Sequence, residues 1–175
     1  MSEASRREVR AGLEPCLARL WRYALMISRA SDVAEELVKA TCLRAIERAD
    51  QFVPGNRLDR WLFAILRSIW LNDIRARRIR EGGGLVDAED ALAIDGAREI
   101  EANIFAAEVF RAIAQLPEAQ REAALLVYGE GYSYAEAASA LGIPIGTVMS
   151  RLSRARIVLA RRLRGATEMD RCPPG

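Results

Sequence analysis

Apolar residues recur along this chain at three- and four-residue intervals, and no convincing run alternates singly with polar ones, which restricts the fold to helices. Leu58, Trp61, Leu62, Ile65, Leu66 and Ile69 are the clearest case, an i, i+3, i+4, i+7 stripe that one helix face would bury. The expected fold class is all-α, in two small helical domains. The first runs from Leu13 to Arg80 and the second from Ile104 to Arg164, with a linker over residues 81–103. Gly82, Gly83 and Gly84 would end the last helix of the first domain. At 175 residues and 51% apolar content, the chain can supply cores for both.

Charge divides the chain in the same places. Arg57 to Arg80 holds seven arginines and two aspartates, a net +5, and Ile145 to Gly165 holds six arginines and no acid, a net +6. Between them, Glu81 to Glu108 carries eight acids against one arginine, a net −7. Two basic surfaces joined by an acidic tether suit a polyanion that each surface attracts and the tether repels.

Several function classes are excluded on composition. Histidine is absent, and Cys16, Cys42 and Cys172 lie far apart, so no zinc-ligand spacing can be assembled and no metal is expected. There is no GxxxxGK loop and no catalytic constellation, so neither an enzyme nor a cofactor is expected. The longest apolar stretches, such as Ala123 to Tyr128, are too short to cross a bilayer, and Met1 to Arg10 is polar and charged, unlike a signal peptide. Cys16 and Cys42 read as small buried apolar residues in a reducing cytoplasm.

Three faces are candidates for binding. On the helix of the first stripe, Arg60, Arg67, Ser68, Asn72, Arg75 and Arg78 are expected to project outward, with Arg57 just before it. The helix from Asp32 to Ala49 would bury Val33, Leu37, Val38, Thr41, Ala45 and Ile46, leaving Glu35, Glu36, Lys39 and Leu43 for a partner. Ser31 or Asp32 would cap it, with Glu35 and Glu36 near the positive end of the helix dipole.

The third face is the most specific. From Gly131 to Arg156, Ser133 and Glu136 fit a capping box, the helix they start should close at Leu141, and Gly142 supplies a left-handed turn. Ala138 is the small residue over which a second helix, starting near Ile145 to Thr147, would cross. Val148, Leu152, Ala155 and Leu159 form that helix's packing side. This is a helix-turn-helix pattern. Thr147, Met149, Ser150 and Arg151 are placed near base edges or flanking phosphates of a major groove, and Arg154 and Arg156 near phosphates.

With these residues in order, the chain resembles the sigma-70 family, specifically extracytoplasmic-function (ECF) sigma factors, over about Leu13 to Leu163. The run Asp32-Val-Ala-Glu-Glu-Leu-Val-Lys-Ala-Thr-Cys-Leu-Arg-Ala is similar to the family's region 2.2. That likeness implies core RNA polymerase as partner, through its β′ clamp helices and its β subunit, with Glu35, Glu36, Lys39 and Leu43 as contacts. The run from Phe52 to Ser68 is similar to regions 2.3 and 2.4, which open the minus-10 element and capture a flipped base. Ser68, Asn72 and the Asp50 to Arg57 loop are then the candidate pocket. Leu116-Pro-Glu-Ala-Gln-Arg-Glu-Ala and the helix-turn-helix are similar to region 4, the minus-35 reader. Lys39, Ala40, Ser68 and Met149 depart from the usual residues. Methionine can touch a thymine methyl but cannot make a bidentate guanine contact.

The resemblance implies an alternative sigma factor, with promoter DNA and an anti-sigma factor as further partners and the cytoplasm as location. Two other readings carry the same outline: a sigma mimic that sequesters an anti-sigma factor, and a free-standing helix-turn-helix regulator. Two basic surfaces count against the first, and a whole first domain without a task counts against the second.

Overall fold

In a computed structural model of the protein, residues 3–80, 109 and 111–169 are described, and within them the side chains of residues 77, 78, 80 and 163–169 are not. The linker over 81–103, the start of the second domain at Ile104, Cys172, the end from Arg171 to Gly175 and the side chain of Arg78 therefore lie outside the described residues. All regular structure among the described residues is helical, and the chain divides into two compact units.

The first unit is built from α1 (Glu3–Ser28), α2 (Ser31–Glu47) and α3 (Leu58–Arg80), each packed on the other two, with a 3-10 turn at Ala49–Gln51. Helix α1 begins upstream of Leu13, where polar residues dominate the sequence, because Ser5 and Val9, spaced i, i+4, are buried. Pro15 lies inside it and removes one backbone donor. The helix runs on because it is packed on both sides of the proline, by Val9 before it and by Leu20, Tyr23, Ala24 and Ile27 after it.

Helix α3 is turned slightly from the expected stripe. Leu62, Phe63, Leu66 and Trp70 are buried, whereas Trp61, Ile65 and Ile69 lie half-exposed along the edges. Aromatic packing selects this rotation. Phe63 meets Tyr23 of α1 edge to face, with ring centroids 5.2 Å apart, and each buried aromatic removes more apolar area from water than an isoleucine.

On α2 the buried set is Ala34, Leu37, Thr41 and Ala45, with Val33 and Val38 half-buried. Ile46, expected inside, is 42% exposed, beside an open pocket that it lines with Arg6 and Arg10 of α1. The expected cap also differs. Ala30 is the N-cap residue, extended and without a side-chain bond, while the Ser28 hydroxyl accepts from the Ala30 N–H and donates to its carbonyl.

The second unit contains helical residues 111–114, α4 (Glu118–Ala124), a π turn at Leu125–Gly129, α5 (Tyr134–Leu141) and α6 (Ile145–Met169). Helices α4 and α5 both pack on α6, around Leu116, Leu126, Leu141, Val148, Leu152 and Ala155. Ala138, expected under the α5–α6 crossing, is half-buried, and its neighbour Ala137 is fully buried. Ala138 acts through its backbone instead, its carbonyl accepting the Ile143 N–H that closes the turn.

Candidate nucleic-acid and polymerase interfaces

On α2, Glu35, Glu36, Lys39 and Leu43 are all exposed, Leu43 by 63%. Lys39 donates to Glu36 at 2.9 Å, one turn away, and that partner holds its ammonium above the usual lysine range. The surface is thus a self-neutralised ion pair beside a bare leucine. Ile46, three residues further along the helix and also exposed, extends its apolar content.

The candidate minus-10 residues fall into two groups. Ser68, Asn72 and Arg75 are exposed and share one face of α3, spaced i, i+4, i+7, with the Arg75 guanidinium 3.5 Å from the side-chain Oδ1 of Asn72. Arg60 and Arg67 do not join them. Both are half-buried on the flank of the helix, because seven residues nearly complete two turns and return them to the same edge.

Arg57 is exposed, but its guanidinium is forked onto Asp59, Nε to Oδ1 at 3.0 Å and Nη2 to Oδ2 at 2.8 Å. Arg19 reaches the same carboxylate at 3.3 Å. The Arg57 hydrogen bonds hold the Asp59 carboxyl down at about 2. The loop before α3 is therefore braced at its exit, while at its entry Phe52 is buried against Trp61, centroids 5.4 Å apart. Gly55 at its tip has φ +82, and its N–H is directed at the Glu8 carboxylate.

The helix-turn-helix is formed as the sequence implies. The Ser133 hydroxyl accepts from the Glu136 N–H at 3.2 Å and the Glu136 carboxylate accepts from the Ser133 N–H at 2.8 Å, a complete capping box. Gly142 closes α5 at φ +66. On α6, Met149, Ser150, Arg154 and Arg156 are exposed, and Thr147 and Arg151 are half-buried one turn apart.

Sequence reasoning missed two features here. Ile145, 49% exposed, stands one turn before Met149, 52% exposed, so the start of α6 presents an apolar pair ahead of the arginines that begin at Arg151. Arg121, 4% exposed, donates through Nη1 to the carbonyls of Ala114 and Leu116, bracing the turn into α4. An arginine in an alanine-rich helix gives no sign of burial until the carbonyls it satisfies are located.

Cys16 and Cys42 are half-buried, and burial pushes the Cys42 thiol up. Among the described residues there is no cluster of potential metal ligands and no helix long and apolar enough to cross a membrane.

Comparison with known proteins matches one family model to each unit. Residues 13–80 fit the model of Sigma-70 region 2, and residues 106–159 fit that of Sigma-70, region 4. The ECF RNA polymerase sigma factor EcfG of Rhodopseudomonas palustris (strain TIE-1) is 39% identical over 143 residues, 81% of this chain and 77% of that one. The chain belongs to the ECF sigma factors. ECF sigma factor SigC of Mycobacterium tuberculosis (strain CDC 1551 / Oshkosh) is 37% identical over 140 residues, 80% of this sigma factor and 75% of SigC. Among solved structures, the sigma factor RpoE in complex with the anti-sigma factor NepR from Bartonella quintana aligns with a TM-score of 0.69 and 30% identity, over 90% of this chain and 98% of that one. The first unit thus carries region 2 of an alternative sigma factor, and the second carries region 4.

Proposed function

We propose that this sigma factor engages core RNA polymerase through Glu35, Glu36, Lys39 and Leu43 on α2. It opens and reads the minus-10 element with the Asp50 to Arg57 loop and the Ser68, Asn72, Arg75 face of α3, and reads the minus-35 element with α6. The supporting observation is the ordered pairing, in one chain, of a braced loop beside a polar helix face with a capped two-helix reader. Half-buried Arg60 and Arg67 then act as flanking phosphate contacts, and Arg57 acts first as a brace.

Residues 81–103 serve as the acidic tether between the two domains, 13–80 and 104–164. Each domain alone offers few contacts, but once both are held on polymerase the second contact is intramolecular and the pair binds tightly. The protein works in the cytoplasm as a binding subunit, without catalysis or cofactor of its own, and an anti-sigma factor holds it in reserve, as NepR accompanies RpoE in the matched structure.

Run-off transcription with purified core polymerase and a promoter library tests the reading. The isolated chain should bind duplex promoter poorly yet direct initiation with polymerase. Leu43→Asp should weaken polymerase binding while leaving the fold intact. A chain that neither binds polymerase nor initiates on any promoter in the library would sink the proposal.

A further inference from the structure

Glu8 stands outside every surface assigned above. Its carboxylate lies under the loop between α2 and α3, with both oxygens 3.3 Å from the Gly55 nitrogen. Gly55 is left-handed, nothing lies within 4 Å of where its Cβ would be, and within the tip the Asn56 N–H bonds to the Val53 carbonyl at 3.2 Å, so Glu8 is the contact that ties this turn to α1. One helical turn after Glu8, Gly12 lies against Leu58, the first residue of α3. Glu8 and Gly12 therefore share one face of α1, and that face meets the loop at its tip and at its exit. Buried Ser5 and Val9 keep this stretch of α1 in place. Between the Phe52–Trp61 contact and the Arg57–Asp59 fork, Val53, Pro54 and Asn56 remain exposed.

We infer that Glu8 is a positioning residue for promoter opening: by accepting the Gly55 N–H, it fixes the loop tip in the conformation that receives an unstacked base of the minus-10 element. This rests on the reading of the loop as part of the minus-10 surface. A site that is competent only part of the time binds more weakly by that fraction. One hydrogen bond tying the tip to α1 changes the competent fraction several-fold.

The test uses the full chain with core polymerase and a library randomised at the minus-10 element over a constant minus-35 element. Glu8→Ala should slow open-complex formation several-fold and flatten the minus-10 preference, while polymerase affinity and the minus-35 preference stay as in wild type. Glu8→Gln, whose amide oxygen still accepts, should restore most of both. A wild-type minus-10 preference in Glu8→Ala overturns the inference, as does a Glu8→Gln protein that behaves like Glu8→Ala. Asn56→Ala separates the two levels. If it leaves the minus-10 preference unchanged, the loop reading and the inference fall together, whereas a changed preference with a silent Glu8→Ala removes the inference alone.

Discussion

Gly12 of α1 lies so close to Leu58 of α3 that a Cβ at residue 12 would come within 2.2 Å of the leucine Cδ2. The obstructing atom is the end of a flexible, half-exposed side chain, so an alanine can be accommodated by turning Leu58. That rotation costs about 0.5–1.5 kcal/mol, and replacing a helical glycine by alanine returns about 1 kcal/mol. Gly12→Ala should therefore change unfolding stability by less than about 1 kcal/mol, while Gly12→Leu, which brings three more carbons into the same contact, should lose about 1–3 kcal/mol. Urea denaturation of both variants measures the difference.

Arg121 offers a sharper loss. Arg121→Met keeps the apolar stem but leaves the carbonyls of Ala114 and Leu116 without the donor they share. A destabilisation of about 2–4 kcal/mol is expected, as for buried acceptors that lose a charged partner. Denaturation of the full chain, followed by helical signal, should show it; a variant as stable as wild type would mean that water replaces the guanidinium.

The Asp59 carboxyl has a folded value of about 2 against an ordinary 3.8. A depressed carboxyl contributes stability that is complete above its unfolded value and is lost as pH falls through its folded one. The contribution of Asp59 should thus disappear between about pH 4 and pH 2. Over that window, the melting temperature of wild type should fall more steeply than that of Asp59→Asn. Parallel curves would show that Arg57 and Arg19 do not stabilise the folded carboxylate.

Specifying and positioning contacts on α6 separate by substitution. Arg154→Ala should weaken binding about equally on all minus-35 variants and lower the salt slope by about one unit, the signature of a lost phosphate contact. Met149→Arg places a two-pronged donor at the major-groove edge and should shift preference toward guanine at one position by about 1–3 kcal/mol. A promoter-library selection reads both, and identical sequence preferences for Met149→Arg and wild type would remove Met149 from the reading surface.

Several features built from residues close in sequence were legible in advance, although the cap of α2, equally local, falls at Ala30 and not at Ser31 or Asp32. The capping box at Ser133 and Glu136, the left-handed Gly142 and the exposed set on α2 all follow from local spacing. Features decided by which neighbour arrives were not. The rotation of α3 depends on Tyr23 meeting Phe63, and the burial of Ala137 over Ala138 and the exposure of Ile46 depend on how the neighbouring helices pack. Glu8 and Gly55 are far apart in sequence, and neither residue type announces the other. The π turn at Leu125–Gly129 ends on a glycine, but Leu125 to Tyr128 carry no turn residue to signal a change of pitch.

Both ends of α5 are closed by bonds among residues at most five positions apart: Ser133 with Glu136 at the start, Ile143 with Ala138 and Gly142 with Ser139 at the finish. Joining partners so near in sequence involves little loop entropy, so these bonds fix the ends of an eight-residue helix that packing on α6 then stabilises. It also means that the support on which α6 rests is already rigid when DNA arrives. Association then spends little of its free energy on ordering the protein, and discrimination between promoters is left to the side chains at the groove.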